Sequence, residues 1–267
     1  MICQQYDDCA VDSDEDAGPV NRMARWTLNA DLRSVDPNSE VVFFETSRLG
    51  TQTHNSGDIE FGADGKVYVT VGESGSKKHK NGRGEYYPLA RNVLLGSVVR
   101  FNDDGSIPSD NPFVATNSDS GYSGKSARCG LSGGIHSDAT KACSEIYATG
   151  FRNPFRFAMD PNAYARGQTR FFINDVGSNT WEMIKELGDP TVPGMAGRNF
   201  GYPLREGPCE GGQDSNCYVD KDFAVPAYYY HHMSEHGGAI TGGTFVPDDA
   251  GWPAEMSDGY LYAEYAW

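Results

Sequence analysis

Apolar residues along this chain recur in short alternating runs, and none keeps a helical period for long. Ile59 and Phe61 alternate with polar neighbours, a Gly-Ala-Asp-Gly turn follows at 62–65, and Val67, Val69 and Val71 alternate again. The same reading predicts strands at 23–28, 40–45, 57–61, 66–71, 96–101, 146–149, 156–160, 170–174, 181–187, 239–246 and 259–265. Two units, IEFGADGKVYVTVGE and FRFAMDPNAYARGQTRFFINDVG, share one design: strand, Asp/Gly or Pro/Asn turn, strand, Gly turn. Repeated antiparallel units without helices predict an all-β fold, a β-propeller whose four-stranded blades pack face to face. A β-sandwich is the competing class, disfavoured because the units are too long and too alike. Long loops at 74–92 and 111–141 interrupt the blades, and on a propeller the loops at one end of the channel build the ligand site.

Composition narrows the class. The 267 residues suit one large β domain or two smaller ones, and 32 glycines with 14 prolines fit many turns. No apolar run approaches the ~18 residues of a membrane span. A formal charge of −15 argues against a nucleic-acid partner, which needs a basic face. The acidic cluster at 12–16 and the basic run KKHKNGR at 77–83 read as solvated loops, the second with an anion at the channel as its alternative.

Six cysteines, at 3, 9, 129, 143, 209 and 217, fall in three close pairs inside polar loops without C-x-x-C spacing. Loop-stapling disulfides are the simplest reading; they imply an oxidising, secreted or extracellular location and leave the connectivity open. The opening MICQQYDDCAVDSDEDAG has neither the basic start nor the apolar core of a signal peptide, and the chain has no N-x-S/T sequon. One resolution is that Met1 is not the true start.

The candidate chemistry lies in four stretches. They are THNSGDIEFG at 53–62, GFRNPFRFAMDP at 150–161, NDVGSNTWEMI at 174–184 with GRNFGYP at 197–203, and LGSVVRFNDDGSIPSDNPF at 95–113. Singly each has a structural reading. His54 fits an ordinary surface or core histidine, and Arg152 fits a turn cap or a partner of Asp160 or Asp175. Asn153 fits the constraint of the residue before a proline, and DVGSN fits a plain turn.

In this order and spacing the stretches closely resemble the glucose/sorbosone dehydrogenase family: soluble sugar dehydrogenases that use pyrroloquinoline quinone (PQQ) and calcium on a six-bladed propeller. The resemblance runs from about Asn21 to the end. It implies that 21–267 is a propeller fragment with about four of six blades, residues 1–20 being part of an early blade or a loop. In the family a Lys/Arg cluster that binds the cofactor carboxylates lies beyond the equivalent of Trp267.

The resemblance places His54 as catalytic base, Arg152 and Asn153 as quinone contacts, and Gly177 and Ser178 as backbone-carbonyl ligands of calcium. Val176 precedes them, and His236, in HGGAITGG, aligns with the strand entry lining the cofactor face. Three positions depart from the pattern. Thr53 replaces the Asp before the histidine, Ser178 replaces a proline, and Met183 stands where many relatives carry an acid. Glu73 and Lys78 are weaker candidates for substrate contact.

The residue types suit that chemistry. Oxidising a sugar hemiacetal to a lactone removes a hydroxyl proton as hydride leaves carbon, and a neutral imidazole is a fitting base near neutral pH. No side chain accepts hydride, so a cofactor must. Calcium is a hard ion that takes carbonyl oxygens, and an arginine fork suits quinone or carboxylate oxygens. The expected function is PQQ- and calcium-dependent oxidation of a small sugar, with an external electron acceptor of unknown identity. Two alternatives stand beside it: a non-catalytic binding propeller resembling the hedgehog-interacting proteins, and a calcium-dependent propeller lactonase.

Overall fold

The computed structural model describes residues 20–46, 53–55, 57–75, 84–114, 125–136, 138, 140–211, 214–215, 217, 222–232 and 237–265. Among these residues the strands are β1 (Arg22–Arg25), β2 (Val41–Glu45), β3 (Ile59–Phe61), β4 (Val67–Val71), β5 (Ser97–Phe101), β6 (Ser126–Ala127), β7 (Ala142–Cys143) and β8 (Ile146–Thr149). They continue with β9 (Pro154–Met159), β10 (Arg170–Asp175), β11 (Trp181–Gly188), β12 (Arg205–Glu206), β13 (Cys209–Glu210), β14 (Tyr228–His231), β15 (Ile240–Phe245) and β16 (Tyr260–Glu264). One short helix, α1 (Pro161–Ala165), joins β9 to β10.

Two sheets have four strands in antiparallel order, β3-β4-β5-β8 and β9-β10-β11-β14. Each is the meander of a propeller blade, with a small insertion, β6-β7 or β12-β13, before its last strand. The pairs β1-β2 and β15-β16 flank them. The first strands of neighbouring sheets meet: β9 packs against both β3 and β15, and Asp58 Oδ2 accepts the Phe157 amide at 2.9 Å.

The sheets stack through apolar layers. Tyr68, Val98 and Tyr147 of the first sheet meet Phe157, Phe171, Ile173 and Leu187 of the second. On the opposite side Phe43 and Phe44 of β2 pack on Phe101 of β5. Beyond the second sheet, Ile184 and Tyr230 pack on Ile240 of β15. Covered on both faces, β4 and β5 are buried at every residue, the apolar ones at 67, 69, 71, 98, 99 and 101 and the polar Thr70, Ser97 and Arg100 alike.

One charge is buried between the two main sheets. Arg100, 1% exposed, reaches Asp64 and Asp110 at 2.7 Å each and Asn111 at 3.0 Å, with its guanidinium over the rings of Tyr68 and Tyr147. Pairing of both terminal nitrogens makes such burial tolerable even though the buried Nε has no hydrogen-bond partner; removing one partner of a buried ion pair costs ~3–5 kcal/mol.

Disulfides join Cys129 to Cys143 and Cys209 to Cys217, two of the expected loop staples, whereas Cys3 and Cys9 lie outside the described residues. Glu145 sits beside the first bridge, but its neighbouring sulfurs are bonded to each other and hold no metal. The Asp-Pro-Asn turn expected between β9 and β10 is instead helix α1. Asp160 caps it by accepting the amides of Asn162 and Ala163, and Pro161 occupies a first-turn position where its missing N–H costs nothing. Strand β14, Tyr-Tyr-Tyr-His, had no alternation to announce it.

Candidate functional site

His54 is held in an unusual backbone conformation, with φ at 55°, and Ser74 opposite it has φ at 60°. Non-glycine residues rarely adopt this region and do so where surrounding contacts enforce it. Here the Ser74 amide donates to the His54 carbonyl at 3.1 Å. Glu73, two residues beyond β4 and 2% exposed, hydrogen-bonds the His54 Nδ1 through its Oε1. Since a carboxylate accepts, Nδ1 carries a proton, and in the neutral ring the lone pair then lies on Nε2. No described residue bonds Nε2. The orienting carboxylate that Thr53 does not supply therefore comes from 19 residues further along the chain.

Glu73 also leads to the second motif, because its amide donates to the Arg152 carbonyl at 2.8 Å. The backbone at 152–153 is fixed by Asp175, at the end of β10 and fully buried, which accepts the amides of Arg152 at 3.3 Å and Asn153 at 2.7 Å. Lys185, on β11, neutralises Asp175 and donates to the Gly150 carbonyl at 3.2 Å. Burial holds the Lys185 ammonium below its ordinary value, and pairing with Asp175 opposes this only in part. Asp160 pairs instead with Arg170, at 2.9 Å, so the alternative partners suggested for the Arg152 side chain do not engage it. The Arg152 guanidinium donates to the Val176 carbonyl at 3.2 Å and meets the Tyr202 hydroxyl.

The third motif follows directly. The Val176 amide donates to the Asn153 carbonyl at 3.1 Å. A Cβ on Gly177 would stand 1.7 Å from the Trp181 carbonyl oxygen, so the turn closes only on glycine. The turn's amides are taken by two buried carboxylates: Gly177 by Glu182, and Asn179, Thr180 and Trp181 by Glu206. The carbonyls of Gly177 and Ser178 accept nothing from any described residue. Two open carbonyls on a fixed turn are hard oxygen donors that fit a calcium ion.

Glu182 also accepts the Ile240 amide at 3.1 Å, and its Oε1 shares a hydrogen bond of 2.6 Å with Nε2 of His232. Burial pushes its carboxyl up to about 8, opposed by the two amides, and burial pushes His232 down.

Contacts thus run from His54 through Glu73, Arg152 and Val176 to Gly177 and Ser178, with Asn153 inside the chain of bonds. His236 and Lys78 lie outside the described residues. Sequence reasoning missed Glu182, Glu206, Tyr202 and His232 and underrated Glu73. The position of Glu73 at a strand exit, between Gly72 and Ser74-Gly75, was the available signal for it.

Residues 6–123 match the family described as Glucose / Sorbosone dehydrogenase. The chain is 26% identical to the HIPL1 protein of Arabidopsis thaliana over 91% of its length, covering 33% of that relative. It is 28% identical to the aldose sugar dehydrogenase YliI of Escherichia coli K12 over 66% of its length, covering 36% of it. Among solved structures, the PQQ-bound aldose sugar dehydrogenase of Streptomyces coelicolor superimposes with a TM-score of 0.54 at 20% identity, over 84% of this chain and 49% of that one. The β-propeller expected from the repeated units is the fold of these structural neighbours. The chain spans about a third of the length of the curated relatives it matches.

Proposed function

From a chain that resembles the glucose/sorbosone dehydrogenases, we propose the function of a calcium-dependent quinoprotein that oxidises the anomeric carbon of a small sugar. The observation that carries the proposal is the His54–Glu73 pair, with Nε2 open, bonded through backbone to the same strand ends that present Arg152 and the 177–178 carbonyls. Glu73 holds the imidazole in the tautomer that accepts a proton at Nε2 and stabilises the imidazolium that results. The sugar hydroxyl bonds to Nε2 and gives up its proton there as the C–H electron pair leaves as hydride, making the lactone carbonyl. Bound PQQ supplies the hydride acceptor, which no side chain offers.

Arg152 and Asn153 would contact the quinone, their backbone fixed by Asp175, which Lys185 pairs. Gly177 and Ser178 would ligate calcium through their carbonyls, and the Val176 carbonyl anchors the Arg152 guanidinium. By the same resemblance His236, outside the described residues, is carried as a cofactor contact. The two loop disulfides suit a secreted protein, and among the described residues no helix is long and apolar enough to cross a membrane.

The test is dye reduction by the protein that carries this chain, loaded with PQQ and Ca²⁺ and offered a panel of aldoses. Turnover should require both and fall by a factor of ~10²–10⁴ in His54→Ala, the range for loss of a general base. Lactone hydrolysis without added quinone would instead identify a lactonase. Similarity to HIPL1 across 91% of the chain supports one other reading, a binding propeller without turnover. Failure to reduce dye with any aldose, in protein shown to retain the cofactor, would establish it.

A further inference from the structure

The turn after β10 sorts its peptide groups between two buried glutamates that belong to neither the turn nor each other's strand. Glu182 lies on β11 and Glu206 on β12, at 0% and 1% exposure. In a trans peptide the N–H and the preceding C=O point in opposite directions, so fixing one aims the other. Glu182 Oε2 accepts the Gly177 amide at 3.1 Å, which aims the Val176 carbonyl away from it, and that carbonyl meets Arg152. Glu206 Oε1 accepts the Asn179 amide at 3.3 Å, which aims the Ser178 carbonyl away from Glu206. The further amides of Thr180 and Trp181, each at 3.0 Å on the same oxygen, lock the carboxylate in place.

Glu206 Oε2 is buried without a hydrogen-bond partner. A carboxylate left half-satisfied in the interior is unfavourable unless its other contacts and its charge outweigh the loss. The three amides provide the contacts. The charge has a use as well, because carbonyl ligands carry none and a divalent ion beside them lacks compensation.

We infer that Glu206 is a positioning residue for a divalent cation: it aims the Ser178 carbonyl and lends the turn the negative charge that its ligands lack. The inference rests on the reading of Gly177 and Ser178 as calcium ligands. Loss of a residue that orients a metal ligand lowers affinity by ~10–100-fold. Glu206→Ala should fall toward the far end of that range. Glu206→Gln, which keeps an amide-accepting oxygen but removes the charge, should fall by ~10-fold.

The measurement is calorimetric titration of the chelator-stripped protein with Ca²⁺ alone, beside urea midpoints in calcium-free buffer. A residue that only props up the fold would lower the calcium-free midpoint and leave calcium affinity unchanged. Wild-type affinity in either variant overturns the inference while the calcium reading stands, and the Gln variant decides should the Ala variant not fold. A wild-type protein that binds no Ca²⁺ overturns both.

Discussion

Two carboxylate–imidazole pairs lie along the same run of contacts, and only one is arranged to move a proton. Glu73 holds the Nδ1 of His54, a side chain 22% exposed whose Nε2 meets no described residue. Glu182 holds the ring of His232, but its second oxygen also ties the Gly177 amide to that of Ile240. Burial disfavours charge on both members of this second pair, raising the acid and lowering the base. The same two side-chain types thus give a base in one place and a cross-link in the other. What decides is the rest of the carboxylate's bonds: one that also fastens two backbone segments serves the fold.

The sharpest way to break this comparison is Glu73→Gln. The amide can donate to Nδ1, which would move the imidazole proton to Nε2 and block the base. Turnover should fall ~10²–10⁴-fold, as for His54→Ala, while the urea midpoint changes little. Because the two residues act as a unit, the double variant should be no slower than either single one. Additive losses would show that Glu73 has a separate task.

A smaller effect, of the opposite kind, is expected at His232. His232→Leu leaves Oε1 of Glu182 without its hydrogen-bond partner, which should cost ~1–3 kcal/mol in urea unfolding. Dye reduction by the folded variant should stay within ~10-fold of wild type, well short of the loss expected for a base. A loss as deep as that of His54→Ala, with stability intact, would put His232 in the chemistry and erase the distinction.

Much of this architecture was legible in the chain. Alternation at 59–61 and 67–71 announced β3 and β4, and the Gly-Phe-Arg-Asn-Pro and Asp-Val-Gly-Ser stretches marked segments that do meet. What the chain concealed shares one physical character: a side chain that bonds backbone far away in sequence. Glu206 reaches amides 25–27 residues back, and Glu182 reaches one 58 residues ahead. No period or spacing records such bonds, because they exist only once the sheets have stacked. Helix α1 was different, since Asp160-Pro161 is a cap followed by a first-turn proline and was readable as such. His232 carried no signal, since the Tyr-Tyr-Tyr-His run before it lacks the alternation of a half-buried strand, whereas His236 entered through the resemblance alone.

A third buried glutamate extends the comparison to a carboxylate with no imidazole at all. Glu145, fully buried beside the Cys129–Cys143 bridge, accepts the amides of Cys129 at 2.8 Å and Gly130 at 2.7 Å with Oε1, and Oε2 has no partner. Burial raises its carboxyl above the ordinary range, and the two amides only partly oppose that. For an acid whose folded value lies above its unfolded one, the contribution to stability is fully present below the unfolded value and is lost as pH rises through the folded one. Urea midpoints of the oxidised protein should therefore decline as pH rises above the ordinary carboxylate range, and Glu145→Gln, which does not ionise, should decline less. This is the gentlest of the expected effects, but its sign is firm. Equal slopes in the two proteins would mean that Glu145 ionises inside the fold without penalty, and that two backbone amides are enough to hold a buried carboxylate.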